Sequence, residues 1–204
     1  MTTKTLVGVL HDEEDKEEIQ QVLDLIDDTN AAKVGLEITN QYSETNQCPP
    51  FFDEIHDYAK TNGRKIVPLE HQLAHEKFSA VNAVVTVLEG KVSREDIEFM
   101  LDYTTAELKK IDLTASRIRM LEENRKTAKC ALKILDKNPS QEEVTKWYAE
   151  AEAEREKHML SRIKRHKPDL VVIGVGHAES LKDSLQEYQY IRLAKRDADG
   201  IFES

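Results

Sequence analysis

The chain has 204 residues, and its 29 Lys and Arg stand against 39 Asp and Glu, a net charge of −10. That length suits one domain with a sizeable core, and 39% hydrophobic with 33% charged residues is a globular composition, neither disordered nor membranous. So acidic a chain excludes nucleic acid as the main partner, because phosphates need a basic face. No apolar run approaches the roughly 18 residues of a membrane helix. The opening MTTKTLVGVLHDEED turns acidic too early for a signal peptide. The two cysteines, Cys48 and Cys130, lack metal-type spacing and read as thiols of a reducing, cytoplasmic compartment.

Residues 1–70 read as β-α-β-α-β. Leu6 to Leu10 is a continuous apolar run, as in a strand covered on both faces. Ile19, Val22, Leu23 and Ile26 follow at helical spacing. Val34 to Ile38 is a second strand, and Pro49-Pro50 leads into a helix carrying Phe52, Ile55 and Ala59 on one face. Asn62-Gly63 stops it. Ile66 to Leu69 is a third strand, whose Pro68 marks an edge or an end. Residues 71–167 lack strand-like runs and predict four helices, 71–89, 94–110, 113–137 and 140–166, with Ser93 and Ser140 as N-caps. From residue 168 the pattern returns to α/β: a strand over Leu170 to Ile173, a helix near 179–187, and a last strand near Tyr190 to Leu193. The fold class is therefore α/β, a mostly parallel sheet formed by 1–70 and 168–204, with 71–167 as an all-helical insertion or cap in a single domain.

In open parallel sheets ligands bind beyond the carboxyl ends of the strands. The first strand runs into His11, the second holds Glu37 near its end, the third runs into Glu70 and the fourth into Gly174-Val175-Gly176-His177. Imidazoles and carboxylates on one edge are ordinary ligands for a divalent metal such as Zn, Mn or Co, whose bound water becomes a nucleophile near neutral pH. The glycines beside the histidines allow tight turns and close ligand approach. Polar residues where strands surface, satisfied by salt bridges or backbone, would look the same. His71 and His75 have i,i+4 spacing, which can chelate a metal, although an exposed helix start accounts for them equally. His56, His158 and His166 fall among charges on predicted helices and are expected in solvent, and Trp147-Tyr148 is expected to pack in a core.

Two Gly-x-x-His motifs, Gly8–His11 and Gly174–His177, flank Gly35-Leu36-Glu37 and the run Glu154-Arg155-Glu156-Lys157-His158-Met159. This order, spanning about residues 5–185, resembles the TraB/PrgY/GumN family and the wider group of Tiki proteases, erythromycin esterases and ChaN-like proteins. The resemblance implies an α/β core with a helical insertion and a polar site at the strand ends. It implies either a metal-dependent hydrolase of an amide or ester, acting on a peptide or small molecule, or a non-catalytic protein that sequesters a metal, haem or small ligand. His11, Glu37, Arg155 and His177 are the matching positions, and Glu70 matches less closely. The metal would rest on His11, Glu37 and His177, with Glu37 or Glu70 activating water and Arg155 orienting a carboxylate. Asp12-Glu13-Glu14 stand where the family often has a small or hydroxyl residue. The substrate and any homo-oligomeric state are left open.

The charge is uneven. Residues 12–28 carry nine acids and one Lys, directly after His11. Most of this reads as a solvated helix face, placed where it would attract cations and disfavour anionic substrates.

Overall fold

The computed structural model describes residues 3–10, 16–45 and 50–193. It divides into two compact units, 1–71 with 156–204, and 72–155.

The first unit is built on one parallel sheet. Its strands are β1 (Lys4–Val9), β2 (Lys33–Thr39), β3 (Lys65–Glu70), β4 (Leu170–Gly174) and β5 (Tyr188–Arg192), in the order β3-β2-β4-β1-β5. The fold is α/β, as the alternating pattern predicts. Pro68 sits in β3, an edge strand, where its missing N–H costs no ladder bond on the outer side. The helices of this unit are α1 (Lys16–Asp28), α2 (Asn40–Thr45) and α3 (Pro50–Thr61), then α8 (Val175–Leu181) near its end.

Side-chain alternation sends the two faces of each strand to different helices. Val7, Val34, Leu36, Ile38 and Val172 pack with Ile19, Val22 and Ile26 of α1 and Phe52 and Ile55 of α3. Leu6, Val67, Leu69, Val171 and Ile173 pack on the other face with Ala178 and Leu181 of α8 and with Met159 and Ile163. β1 and β2 are therefore followed by helices on one face and β4, which lies between them, by a helix on the other. Such a switch opens a crevice beyond the carboxyl ends of the neighbouring strands.

Two glycines serve packing. A Cβ on Gly8 would stand 3.1 Å from Ala178 Cβ and 3.2 Å from both Val175 Cα and Tyr190 Oη, so Gly8 lets α8 lie close on the sheet. A Cβ on Gly35 would meet Leu69 and Pro168 at 3.2 Å. The α8 helix also begins at Val175, four residues before the expected start, with Gly174 as its N-cap.

The second unit is helical: α4 (Gln72–Leu88), α5 (Arg94–Glu107), α6 (Ala115–Leu135) and the first part of α7 (Gln141–His166). α6 packs against both α4 and α5, and Val84, Ile97, Ala128, Ala131, Leu135 and Val144 form the core. Ser93 and Ser140 cap α5 and α7. Ser93 Oγ accepts from Asp96 N while the Asp96 carboxylate accepts from Ser93 N, and Ser140 and Glu143 repeat the exchange. The compact helical unit ends at Arg155 and not at 167, because Met159 and Ile163 belong to the sheet core. No described helix is long and apolar enough to cross a membrane.

Candidate functional site

Beside the carboxyl end of β4 lies a connected set of polar groups. Val34, Leu36 and Ile38 point to the α1 face, so Glu37 between them points to the α8 face. The strand is irregular here: Leu36 pairs with Pro68 and Thr39 with Glu70, so β2 carries one more residue than β3 across this stretch. Bulges of this kind re-aim side chains beside functional sites. Glu37 is 7% exposed, and its Oε2 accepts from the Gly174 N–H at 2.6 Å. Its Oε1 lies 3.4 Å from Nε2 of His177, also 7% exposed.

The other ring nitrogen, Nδ1, lies 3.2 Å from Glu156 Oε1. Ser180 Oγ donates to Glu156 Oε2 at 2.7 Å. A carboxylate only accepts, so in the tautomer that bonds Glu156 the Nδ1–H is the donor. Neutral imidazole in that tautomer turns the bare Nε2 lone pair towards Glu37 Oε1. Two facing acceptors repel, so a positive centre, a proton or a metal ion, belongs between them.

The 3.4 Å gap is compatible with either centre. It exceeds the 2.7–3.2 Å usual for N–H···O bonds. Two ligands each about 2.0–2.1 Å from a tetrahedral zinc are roughly 3.4 Å apart. A carboxylate on the outer nitrogen of a ligating histidine is the usual supporting partner. The pair thus fits a metal as two donors. Among the described residues, no group of three His, Cys, Asp or Glu side chains could hold one. His11, the third expected ligand, lies outside the described residues, as do Asp12, Glu13, Glu14 and Cys48.

Glu70 is 3% exposed and ends β3 on the same sheet edge. It is two strands from β4, roughly 10 Å at the usual strand spacing. Arg155 belongs to the helical unit, where its guanidinium lies 4.3 Å from the Phe78 ring centroid and 3.9 Å from Glu152 Oε1. His71 precedes α4 and stacks on His158, centroids 4.5 Å apart. Contrary to the solvated reading, His56 is 1% exposed with Nδ1 3.2 Å from Asp57 Oδ1, whereas His166 is exposed. Tyr148 packs on Phe78, and Trp147 lies against the helical core.

Three contributors escape a strand-end search. Glu156 lies three and seven residues before Met159 and Ile163, so a carboxylate shares the buried stripe of α7. Ser180 is one turn after His177 on α8. Glu18 is 5% exposed, and its Oε1 accepts from the Leu10 N–H at 2.7 Å, holding the chain where it leaves β1. That burial sets Glu18 apart from the solvated acidic face of α1. Comparison with family models, curated proteins and solved structures finds no match.

Proposed function

We propose that the chain is a metal-dependent hydrolase of an amide or ester bond, working at the Glu37–His177–Glu156 crevice beyond β4. The observation that supports this reading is the 3.4 Å gap between His177 Nε2 and Glu37 Oε1, with the opposite nitrogen held by Glu156. Glu37 and His177, joined by His11, would hold a divalent Mn, Co or Zn ion. The ion would supply a water of lowered pKa near neutral pH.

The protein groups do the rest. Glu156 keeps the proton on Nδ1 and Ser180 fixes Glu156. The Gly174 N–H fixes one Glu37 oxygen, which leaves the other facing His177. Glu37 or Glu70 would take and return a proton. The resemblance to the TraB/PrgY/GumN family supports the same chemistry.

Calorimetric titration of untagged protein with Mn, Co and Zn tests the reading. One ion per chain is expected. His177→Ala and Glu37→Ala should abolish binding, Glu156→Gln should weaken it by about 10–100-fold, and His71→Ala should leave it unchanged. No binding by the parent protein would overturn the metal. Binding without turnover of ester and amide panels would replace the hydrolase with a protein that sequesters the ion.

A further inference from the structure

The helical unit contains a groove of about 480 Å³, within the roughly 300–1,000 Å³ of small-ligand pockets. Its apolar wall is formed by Leu73, Ala80 and Val81 of α4, Ile134 of α6 and Trp147 of α7. Leu73 is 66% exposed although it lines a concave surface. From Leu73 to Val81 the wall runs about 12 Å along α4 at 1.5 Å per residue, the length of an extended hydrocarbon chain and longer than a compact ring.

The two ends differ. Gln72 Nε2 donates to Glu123 Oε1 at 3.2 Å, and Val84 packs in one cluster with Leu135. α4 and α6 therefore run side by side in the same direction, and Lys133 and Lys137 lie towards the Val81 end. Two other lining lysines are occupied: Lys126 Nζ is 2.5 Å from Glu76 and Lys77 Nζ 2.7 Å from Glu154. Lys133 and Lys137 have no ion-pair partner among the described residues, and Glu150 is the remaining acid of the lining. The groove thus joins an apolar trough to a cationic end.

We propose that this groove binds a single-chain amphiphile, an unbranched hydrocarbon ending in a carboxylate, with its chain along Leu73–Val81 and its head between Lys133 and Lys137. The inference is independent of the Glu37–His177 chemistry.

Trp147 is the sole tryptophan and lines the groove, so its fluorescence reports occupancy. Decanoate should bind saturably, one per chain, at least tenfold more tightly than decyltrimethylammonium or decanol, with equilibrium dialysis as a second readout. Lys133→Glu with Lys137→Glu should weaken decanoate binding tenfold or more. Ala80→Phe, which fills the trough, should abolish it. Circular dichroism checks that both variants stay folded. Four results would overturn the proposal: no decanoate binding by dialysis, equal affinity for the cationic and anionic heads, affinity unchanged by the lysine reversals, or association only with lipid vesicles. Self-association of the parent protein that Ala80→Phe removes would assign the groove to a second copy of the chain and overturn it equally.

Discussion

The sheet unit and the helical unit bury different kinds of atoms. Among the described residues the sheet unit buries Thr5, Glu18, Glu37, Thr39, His56, Glu70 and His177, whereas the helical unit buries Thr104 and Arg155. Thr104 bonds back to the carbonyls of Met100 and Leu101 within its own helix, and Arg155 lies over Phe78. Burying a carboxylate or imidazole costs free energy unless it is paired. One unit bears that cost several times over at a single sheet edge, and the other avoids it. The lesson is a division of labour: reactive groups gather where the strands end, and the helices offer an apolar trough with charges kept at its rim.

The sharpest way to break this contrast is to damage each core separately. Met159→Ala should cost about 2–5 kcal/mol, as should Ile97→Ala, both being buried apolar truncations. Amide exchange should then rise in β3 and β4 for the first variant and in α5 and α6 for the second, since Met159 packs with Val67, Leu69, Val171 and Ile173 while Ile97 packs with Ala128, Ala131 and Leu135. If Met159→Ala loosened α5 and α6 as much as the strands, the boundary at Arg155 would be wrong.

A second comparison lies within the sheet unit. Gly8→Ala should cost about 1–3 kcal/mol, because the added carbon needs Ala178, Val175 and Tyr190 to give way. Gly176→Ala should be neutral or stabilising by up to about 1 kcal/mol, since it is exposed in α8 with nothing within 4 Å of the added carbon. Urea denaturation of both variants separates them. Equal effects would remove the claim that Gly8 is there to seat α8.

These glycines also show what was legible in the sequence. Apolar runs mark β1 and β4 because both faces of those strands are covered, and β2 shows the same run broken by Glu37. Pro68 marks β3 as an edge, and the serine caps mark α5 and α7. The order β3-β2-β4-β1-β5 was not legible, since strand pairing depends on long-range packing that no local period encodes. The start of α8 was missed because Gly174-Val175-Gly176 resembles a loop, whereas Gly174 caps the helix and Gly176 lies inside it. Glu37 and His177 were visible as polar residues closing apolar runs. Glu156 was hidden by its setting: on a helix that also carries Glu142, Glu143, Glu150, Glu152 and Glu154, only its spacing from Met159 and Ile163 distinguishes it from the other carboxylates. The boundary at Arg155 was hidden for a related reason, as one unbroken helix serves both units.

The smallest expected effect belongs to the helical unit and is set by pH. Hydrogen bonds from the Ser140 backbone and hydroxyl hold the Glu143 carboxyl below its ordinary 4.5, and those from Ser93 hold Asp96 below its ordinary 3.8. Each group binds its proton less readily when folded, so the stability it adds is present above its ordinary value and is lost as pH falls through the lowered folded one. At pH 7, Ser140→Ala should cost about 1 kcal/mol, typical of a lost N-cap. Near the acid end, with Glu143 protonated in parent and variant alike, that difference should shrink. Urea denaturation of both proteins across this range tests the expectation, read through the helical signal. A Ser140→Ala deficit that stayed constant into acid would mean that the hydroxyl caps α7 without the carboxylate, and the reciprocal exchange at its start would carry no energy.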